Sequence, residues 1–330
     1  MSRERLADSP AGGSEPGVIR VAAGVIRDRD GNILLGQRPA GKHLAGAWEF
    51  PGGKCDPGES PGDALVRELD EELGVQVESA APLMMLTHSY PEKTVQLILL
   101  EVGTYRGQLH GREGQALRWL APDALDSVEM PAADRPIVKA LSIDPRYAIT
   151  PDPAEVGGPD GLLEWVTGAL AAGNRLVQLR AHSLDQASLV DLGQHLGPLV
   201  RRFGGRWLLN GSPELALELD ADGVHLSGAA LAACRKRPLP ESRLVITSCH
   251  DPTELVHAGR IGADLACLSP VRCTPSHPTA VPLGWDGFEK LVQQAPLPVF
   301  ALGGVVPDDL RLARCHGAFG VAGISAFANP

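Results

Sequence analysis

Eight short apolar runs, each separated from the next by a longer amphipathic stretch, constrain this chain more than any other feature. They lie at Tyr147–Thr150, Arg175–Arg180, Trp207–Asn210, Gly223–Leu226, Leu244–Ser248, Leu265–Pro270, Pro298–Gly304 and Gly320–Ser325. Short runs rich in Val, Ile and Leu fit strands buried on both faces, and the stretches between them fit crossover helices. The pattern therefore predicts parallel βαβ units, and eight of them predict an α/β (β/α)8 TIM-type barrel. About 185 residues is short for that fold, so several connecting helices must be brief.

The chain has 330 residues, a length that suggests about two domains. Ahead of the barrel pattern the sequence has a different character. Residues 1–17 carry charges and turn formers without periodicity and read as a flexible tail. From Val18, VIRVAAGVIRDRDGNILLGQR reads as two β-rich runs joined by a turn at Asp30-Gly31-Asn32. A Gly/Pro-rich loop from Phe50 to Pro61 leads into a helix signature: Ser60 as N-cap, Pro61 at the first position, Gly74 at the close. Further β-like runs stand at Leu83–Leu86, Val95–Val102 and Leu117–Leu120, and a helical stretch at Asp134–Leu141 ends this half. The expected organisation is an α+β domain over 18–142, a linker at 143–146 marked by Asp144-Pro145, and the barrel over 147–330.

Composition excludes several classes. At 44% hydrophobic residues the chain can bury sizeable cores. No apolar run approaches the roughly 18 residues of a membrane-spanning helix, and the start has no apolar core of a secretory signal. The six cysteines (55, 234, 249, 267, 273 and 315) are spread singly with no C-x-x-C pair. They read as reduced thiols of a cytoplasmic protein, four of them in strand-like runs or adjoining turns. The net charge of −10 leaves no basic footprint for duplex nucleic acid. An acidic protein that handles phosphates needs bound cations.

The segment GGKCDPGESPGDALVRELDEELGV suggests where such cations sit. At 100° per residue, Glu68, Glu71 and Glu72 share an arc of about 100° on the helix, apart from the stripe of Leu65, Val66, Leu69 and Leu73. Like charges three and four residues apart cost about 0.2–0.5 kcal/mol per pair. Taken alone, the arc is either a solvated acidic face or a site for hard divalent cations.

The surrounding residues favour the second. Gly53, Glu59, Arg67, Glu68, Leu69, Glu71, Glu72, Gly74 and Val75 match every constrained position of the Nudix box, which spans 53–75. The resemblance implies a Nudix fold and a hydrolase that uses Mg2+, with Mn2+ as an alternative, to cleave diphosphates joined to another group. It implies Glu68, Glu71, Glu72 and the backbone carbonyl of Gly52 as metal ligands, Glu68 as first candidate for general base, and Arg67 and Glu59 as residues that orient them. Over residues 18–142 the chain is most similar to MutT-type 8-oxo-dGTP diphosphatases. GQRPAGKHLAGAWEFPGGK matches their approach to the box, and Arg112-Glu113-Gly114-Gln115 followed by Trp119 matches their segment bearing a further metal-site glutamate. Glu113 is thereby implicated as a ligand, and Arg38 and Phe50 as nucleotide-pocket residues. One departure is sharp: in MPAADRPIVKAL, Asp134 stands where that family has the asparagine that reads the oxidised base. Asp134 is read either as a base contact or as the cap of the helix that follows.

Residues 146–330 resemble the thiamine-phosphate synthase/TenI family through LVQLR, LLN, ADGVHL, the Ser248 turn, SPVRCTPSHP, PVFALGG and GVAGIS. That resemblance implies a phosphate site at the C-terminal face of the barrel, with Arg180, Asn210, Gly303, Gly304, Gly323 and Ser325 as candidates. Four departures weaken the catalytic reading: His182 and His277 replace lysines, and Gly211 and Ala230 replace the acids that hold Mg2+. The segment of the sixth strand has no TenI-type catalytic histidine. The expectation is Mg2+-dependent hydrolysis of oxidised purine nucleoside triphosphates, sanitising the nucleotide pool, beside a barrel that makes no thiamine phosphate. Two alternatives stand beside it. The first is hydrolysis of thiamine-related or other pyrophosphates. The second is a barrel that senses a thiamine-precursor phosphate and regulates the hydrolase.

Overall fold

The computed structural model describes residues 17–39, 41, 44–274 and 280–328. Residues 1–16 of the expected tail, and His277, lie outside them. The chain forms two compact units, the first running through Ser142 and including Arg314–Gly317, the second formed by Ile143–Ala313 and the chain from Ala318 onward. No helix among the described residues is long and apolar enough to cross a membrane.

The first unit contains β1 (Val18–Ile26), β2 (Ile33–Gln37), β3 (Trp48–Glu49), β4 (Gly52–Lys54), α1 (Pro61–Leu73), β5 (Gln76–Ser89), β6 (Thr94–Arg106), β7 (Leu117–Leu120) and α2 (Arg135–Leu141). One sheet has the order β4-β1-β6-β5, the other β3-β2-β7. The turn after β1 forms as its sequence predicts. Asp28 accepts from the backbone N–H groups of Asp30 and Asn32, and Gly31 supplies a φ of +83°. The two flanking strands nevertheless enter different sheets, joined only by a bridge between Arg27 and Ile33. Two further differences from the sequence reading share one cause. The "loop" after Phe50 begins as β4, paired with β1, and β5 and β6 run well beyond their apolar centres. Two- and three-residue strands, and polar strand ends outside the core, carry no period that a sequence can show.

The apolar face of α1 lies on the first sheet. Leu65, Leu69 and Leu73 are buried with Ala22, Ile26, Ile98, Leu100 and Val102. The approach is close enough that a Cβ at Gly24 of β1 would lie 3.2 Å from a Leu65 methyl. The outer face of α1 is thereby fixed at the rim of the sheet, beside β4.

In the second unit the eight expected strands form and close: β8 (Arg146–Ile149), β9 (Leu176–Leu179), β10 (Arg206–Asn210), β11 (Gly223–Leu226), β12 (Leu244–Cys249), β13 (Leu265–Leu268), β14 (Val299–Leu302) and β15 (Gly320–Gly323). Every neighbouring pair is parallel, and β15 returns to β8. The helices between them are α3 (Gly158–Ala171), α4 (Gln186–Arg202), α5 (Pro213–Glu218), α6 (Gly228–Ala233), α7 (Pro252–Arg260), α8 (Gly284–Val292) and α9 (Leu310–Cys315). Three of these, α5, α6 and α9, have six residues each, which is how a short chain closes the ring. The floor of the barrel is tied by aspartates set just before strands. Asp144 accepts from Arg175 N at 2.7 Å, Asp222 from Trp207 N at 2.9 Å and Asp264 from Val245 N at 2.7 Å. Each joins its own strand to the N-terminal edge of a neighbour.

Candidate active site

The sequence sets both ends of α1. The Ser60 hydroxyl accepts from Asp63 N at 3.1 Å, Pro61 needs no hydrogen-bonded N–H, and Gly74 closes the helix with φ +71°. Between them the leucines face inward, which turns Glu68, Glu71 and Glu72 outward toward β4. Gly53 matters for contact: a Cβ there would lie 2.2 Å from the Glu68 carboxyl carbon. The Glu68 carboxylate thus rests on bare backbone.

Arg67 organises one side of this face. Its Nε and Nη2 donate to the two oxygens of Glu59 at 3.0 and 2.9 Å, while Nη1 donates to Glu68 at 2.9 Å. Nη2 also donates to the Lys54 carbonyl at 3.0 Å. These bonds hold Glu59 below the usual carboxylate range, and the two carboxylates raise the guanidinium further above its own. On the other side, Glu72 accepts from Gly52 N at 3.1 Å. The 111–115 loop is pinned to the end of α1, with Arg112 N and the Gln115 amide both donating to the Glu72 carbonyl at 2.9 Å. That places Glu113 within electrostatic reach of Glu72. Burial pushes the Glu72 carboxyl up to about 7, and Glu49, Glu68 and Glu113 push in the same direction.

Among the described residues no three such side chains already form a metal cage. Glu68 is turned to Arg67, Glu72 to Gly52, and Glu71 is exposed. The donor set still fits a hard divalent cation. It consists of carboxylate oxygens, and their crowding disfavours the charged form of Glu72, which a cation reverses.

The residues expected at the base are arranged differently from one another. Arg38 forms an ion pair with Glu49. Phe50 is 4% exposed and packs into the core. Asp134 occupies the cap position of α2 yet makes no capping bond, which removes the capping reading. It is 7% exposed, and burial with the neighbouring Glu49 charge pushes its carboxyl up to about 7, against the pull of Arg38.

The comparisons with known proteins agree with this division. The NUDIX domain family matches residues 22–140 and the thiamine monophosphate synthase family residues 146–327. The 8-oxo-dGTP diphosphatase of Haemophilus influenzae is 40% identical over 124 residues, covering 38% of this chain and 91% of that protein. The CTP pyrophosphohydrolase of Escherichia coli shows the same identity over the same length and the same coverage. A thiamine-phosphate synthase homologue from Geobacter sulfurreducens is 41% identical over 187 residues, 56% of this chain and 87% of the relative. The chain belongs to both families. Its first unit is a Nudix hydrolase, and its second is a thiamine monophosphate synthase-type barrel.

Within the synthase-type barrel, the expected phosphate residues lie at or just beyond the C-terminal ends of strands β9, β10, β14 and β15. Asn210 donates to the Gln178 carbonyl oxygen at 2.9 Å. Arg180 exchanges backbone hydrogen bonds with the Thr150 hydroxyl. Gly303 and Gly304 adopt φ of +98° and +66° and lie against Pro270 and Arg272, where a Cβ would approach within 2.8 and 2.7 Å. Gly323 lies under the Phe327 ring, and Ser325 is exposed. A side chain at any of these three glycines would meet its neighbours.

What the sequence reading missed is a polar chain inside the barrel. Ser248 Oγ lies 2.8 Å from His225 Nε2, and His225 Nδ1 lies 3.3 Å from the Tyr147 hydroxyl. Gln178 Nε2 donates to that hydroxyl at 3.3 Å, and Gln178 Oε1 accepts from Asn210. Gln178 and His225 are each 2% exposed, and Tyr147 is fully buried. The signal was available: a polar residue in the middle of LVQL and of GVHL is out of place in a strand buried on both faces. Burial holds His225 neutral, its pKa pushed down to about 4. Of the cysteines, Cys249 and Cys267 are buried in adjacent strands, and Cys273 is exposed.

Proposed function

We propose that the Nudix unit hydrolyses oxidised purine nucleoside triphosphates, converting 8-oxo-dGTP to 8-oxo-dGMP and diphosphate with Mg2+ and so sanitising the nucleotide pool of the cytoplasm. The observation that carries the reading is Glu72. It is buried and held on Gly52 N–H while Glu49, Glu68 and Glu113 add negative charge around it, a setting that favours a bound cation. Glu68, Glu71, Glu72, Glu113 and the Gly52 carbonyl would hold the ion. Bound there, Mg2+ neutralises phosphate charge and acidifies a coordinated water. Glu68, supported on Gly53 and oriented by Arg67, takes the proton of the attacking water as general base. Arg67 stays cationic throughout and keeps Glu59 and Glu68 in place.

Similarity to the H. influenzae diphosphatase supports the purine reading, and equal similarity to the CTP pyrophosphohydrolase favours CTP as second substrate. The test is Mg2+-dependent diphosphate release from 8-oxo-dGTP, dGTP and CTP, with Glu71→Gln as control. A preference for the oxidised nucleotide is expected, with hydrolysis reduced by at least about 10²-fold in the variant. Activity confined to CTP would move the substrate; activity unchanged in Glu71→Gln would remove the metal site.

For the barrel we propose binding without thiamine-phosphate synthesis. Gly211 and Ala230 supply no carboxylate, and Ala230 serves only as backbone, donating its N–H to the Ser227 cap at 3.3 Å. Titration of thiazole phosphate into the full chain tests whether the barrel senses a thiamine precursor; binding that changes hydrolysis would establish regulation, and formation of thiamine phosphate would overturn the non-catalytic reading.

A further inference from the structure

The loop that carries Glu113 closes over the C-terminal end of α1, where carbonyls have no partner within the helix. It supplies partners from several residues. His110 N donates to the Leu73 carbonyl at 3.1 Å, Arg112 N to the Glu72 carbonyl at 2.9 Å, and the Arg112 guanidinium to the Asp70 carbonyl at 2.9 Å. A tight turn has Arg112 and Glu113 at its two central positions and is closed by Gly114 N on the Gly111 carbonyl at 3.1 Å. Beyond the turn the chain is fixed to the end of β2, because the Ala116 carbonyl accepts from Gln37 N at 2.9 Å. Gln115 stands between these anchors, half-buried, with its side chain folded back into the turn. Its Oε1 accepts from Glu113 N at 2.9 Å, and its Nε2 donates to the Glu72 carbonyl at 2.9 Å. One planar amide thus joins the backbones of two residues of the carboxylate site. The fit is close: a Cβ at Gly111 would lie 2.1 Å from the Gln115 carbonyl oxygen and 2.9 Å from Oε1.

The two arms of the amide do different things. The Glu72 carbonyl also accepts from Arg112 N, so it keeps a partner without Gln115. The loop likewise keeps its hold on α1 through His110 and Arg112. What Gln115 adds is the arm to Glu113 N–H, which fixes the Glu113 peptide relative to the last turn of α1. Glu113 is exposed at the centre of a turn. Such a carboxylate has backbone and rotamer freedom to lose when it takes an ion, and a peptide fixed beforehand lowers that loss. Its charge already reaches the Glu72 carboxyl. Resting on the metal-site reading above, we propose that Gln115 is a positioning residue: its side-chain amide spans from the Glu72 carbonyl to the Glu113 N–H and so sets Glu113 to join Glu72 on one cation.

Mn2+ alone, titrated into the full chain without nucleotide and followed by the electron paramagnetic resonance signal of the free ion, reads the site independently of hydrolysis. Two variants remove the span in different ways. Gln115→Met keeps the length without the amide, and Gln115→Asn keeps the amide one methylene too short to reach both backbones. Both leave the His110 and Arg112 anchors in place, and thermal unfolding checks that each is folded. Each should weaken Mn2+ binding by about tenfold, the low end for groups that orient metal ligands. Glu113→Gln should weaken it as well. Adding Gln115→Met to Glu113→Gln should then change it by less than about twofold, because two residues that act as a unit are not additive. Native affinity in either folded Gln115 variant overturns the proposal, and so does an undiminished effect of Gln115→Met in the Glu113→Gln background. Native affinity in Glu113→Gln removes the ligand role of Glu113 and the proposal with it. A native chain that binds no Mn2+ removes the metal-site reading itself, whereas failure of 8-oxo-dGTP as a substrate leaves the Mn2+ result standing.

Discussion

The two halves of this chain each inherit a scaffold for holding phosphate chemistry, and they have kept different parts of it. The Nudix unit keeps every charged side chain its motif requires, down to the guanidinium that bridges Glu59 and Glu68. The barrel keeps a closed ring of strands and an internal polar chain, and Gly211 and Ala230 bring no carboxylate to it. Conservation of shape is therefore a poor guide to conservation of chemistry. Eight closed strands testify to packing, whereas a few carboxylates decide whether a divalent ion can be held.

The contrast should be visible as opposite responses to pH. In the barrel, His225 has a pKa of about 4 when folded against about 6.5 when unfolded. The unfolded chain binds the extra proton between those values, so barrel stability is full above about pH 6.5 and is lost as pH falls toward 4, by at most about 3 kcal/mol. In the Nudix unit, Asp134 has the reverse asymmetry. Its folded pKa of about 7 lies above the ordinary 3.8, so the folded state binds the extra proton. Stability there is full below about pH 4 and declines as pH rises through 7, by at most about 4 kcal/mol, with metal-free Glu72 acting in the same direction. Amide hydrogen exchange separates the two, because it reports each element locally. From pH 4 to 6.5 (both approximate), protection should rise in β10–β12 and fall around α2; parallel trends in both would defeat the comparison. Asp134→Asn should flatten the α2 trend and leave β10–β12 alone.

These groups also show how far the sequence could be read. Both architectures were legible, since eight apolar runs and a capped amphipathic helix are periodic features, and periodicity survives without coordinates. The carboxylate face was legible because Glu68, Glu71 and Glu72 are neighbours on one helix. The barrel interior was not, because Tyr147, Gln178, Asn210, His225 and Ser248 come from five strands and meet only when the ring closes. Asp134 was half legible: its identity could be read, but its freedom from capping depends on a backbone conformation no pattern predicts.

Arg67 tests how much the Nudix half depends on geometry rather than charge alone. Its guanidinium serves Glu59 through two nitrogens while a third reaches Glu68, a fork that an ammonium cannot reproduce. Arg67→Lys keeps the charge, so a purely electrostatic role predicts little change. The bridging role predicts a loss of about 10- to 100-fold in kcat or in Mg2+ affinity, with the fold intact by circular dichroism. No comparable substitution in the barrel should affect hydrolysis.

The smallest expected effect is the most discriminating, because it applies the same physics in both halves. Ser60 caps α1 by accepting from Asp63 N, and Ser227 caps α6 by accepting from Ala230 N. Replacing either by alanine frees one N–H at a helix start and should cost about 1 kcal/mol or less of local stability. The consequences diverge because of what each helix carries. The cap adjoins Glu59, the partner of Arg67, so fraying the start of α1 loosens the side chains that hold the carboxylate face. Ser60→Ala should therefore raise the Mg2+ concentration needed for half-maximal hydrolysis by roughly two- to fivefold, the equilibrium counterpart of a fraction of that energy. The α6 helix carries Ala230, which has no carboxylate, and Ser227→Ala should leave the Mg2+ dependence where it was. Equal shifts from both substitutions would mean that the barrel contributes to the metal site after all, and the separation of chemistry between the two halves would have to be abandoned.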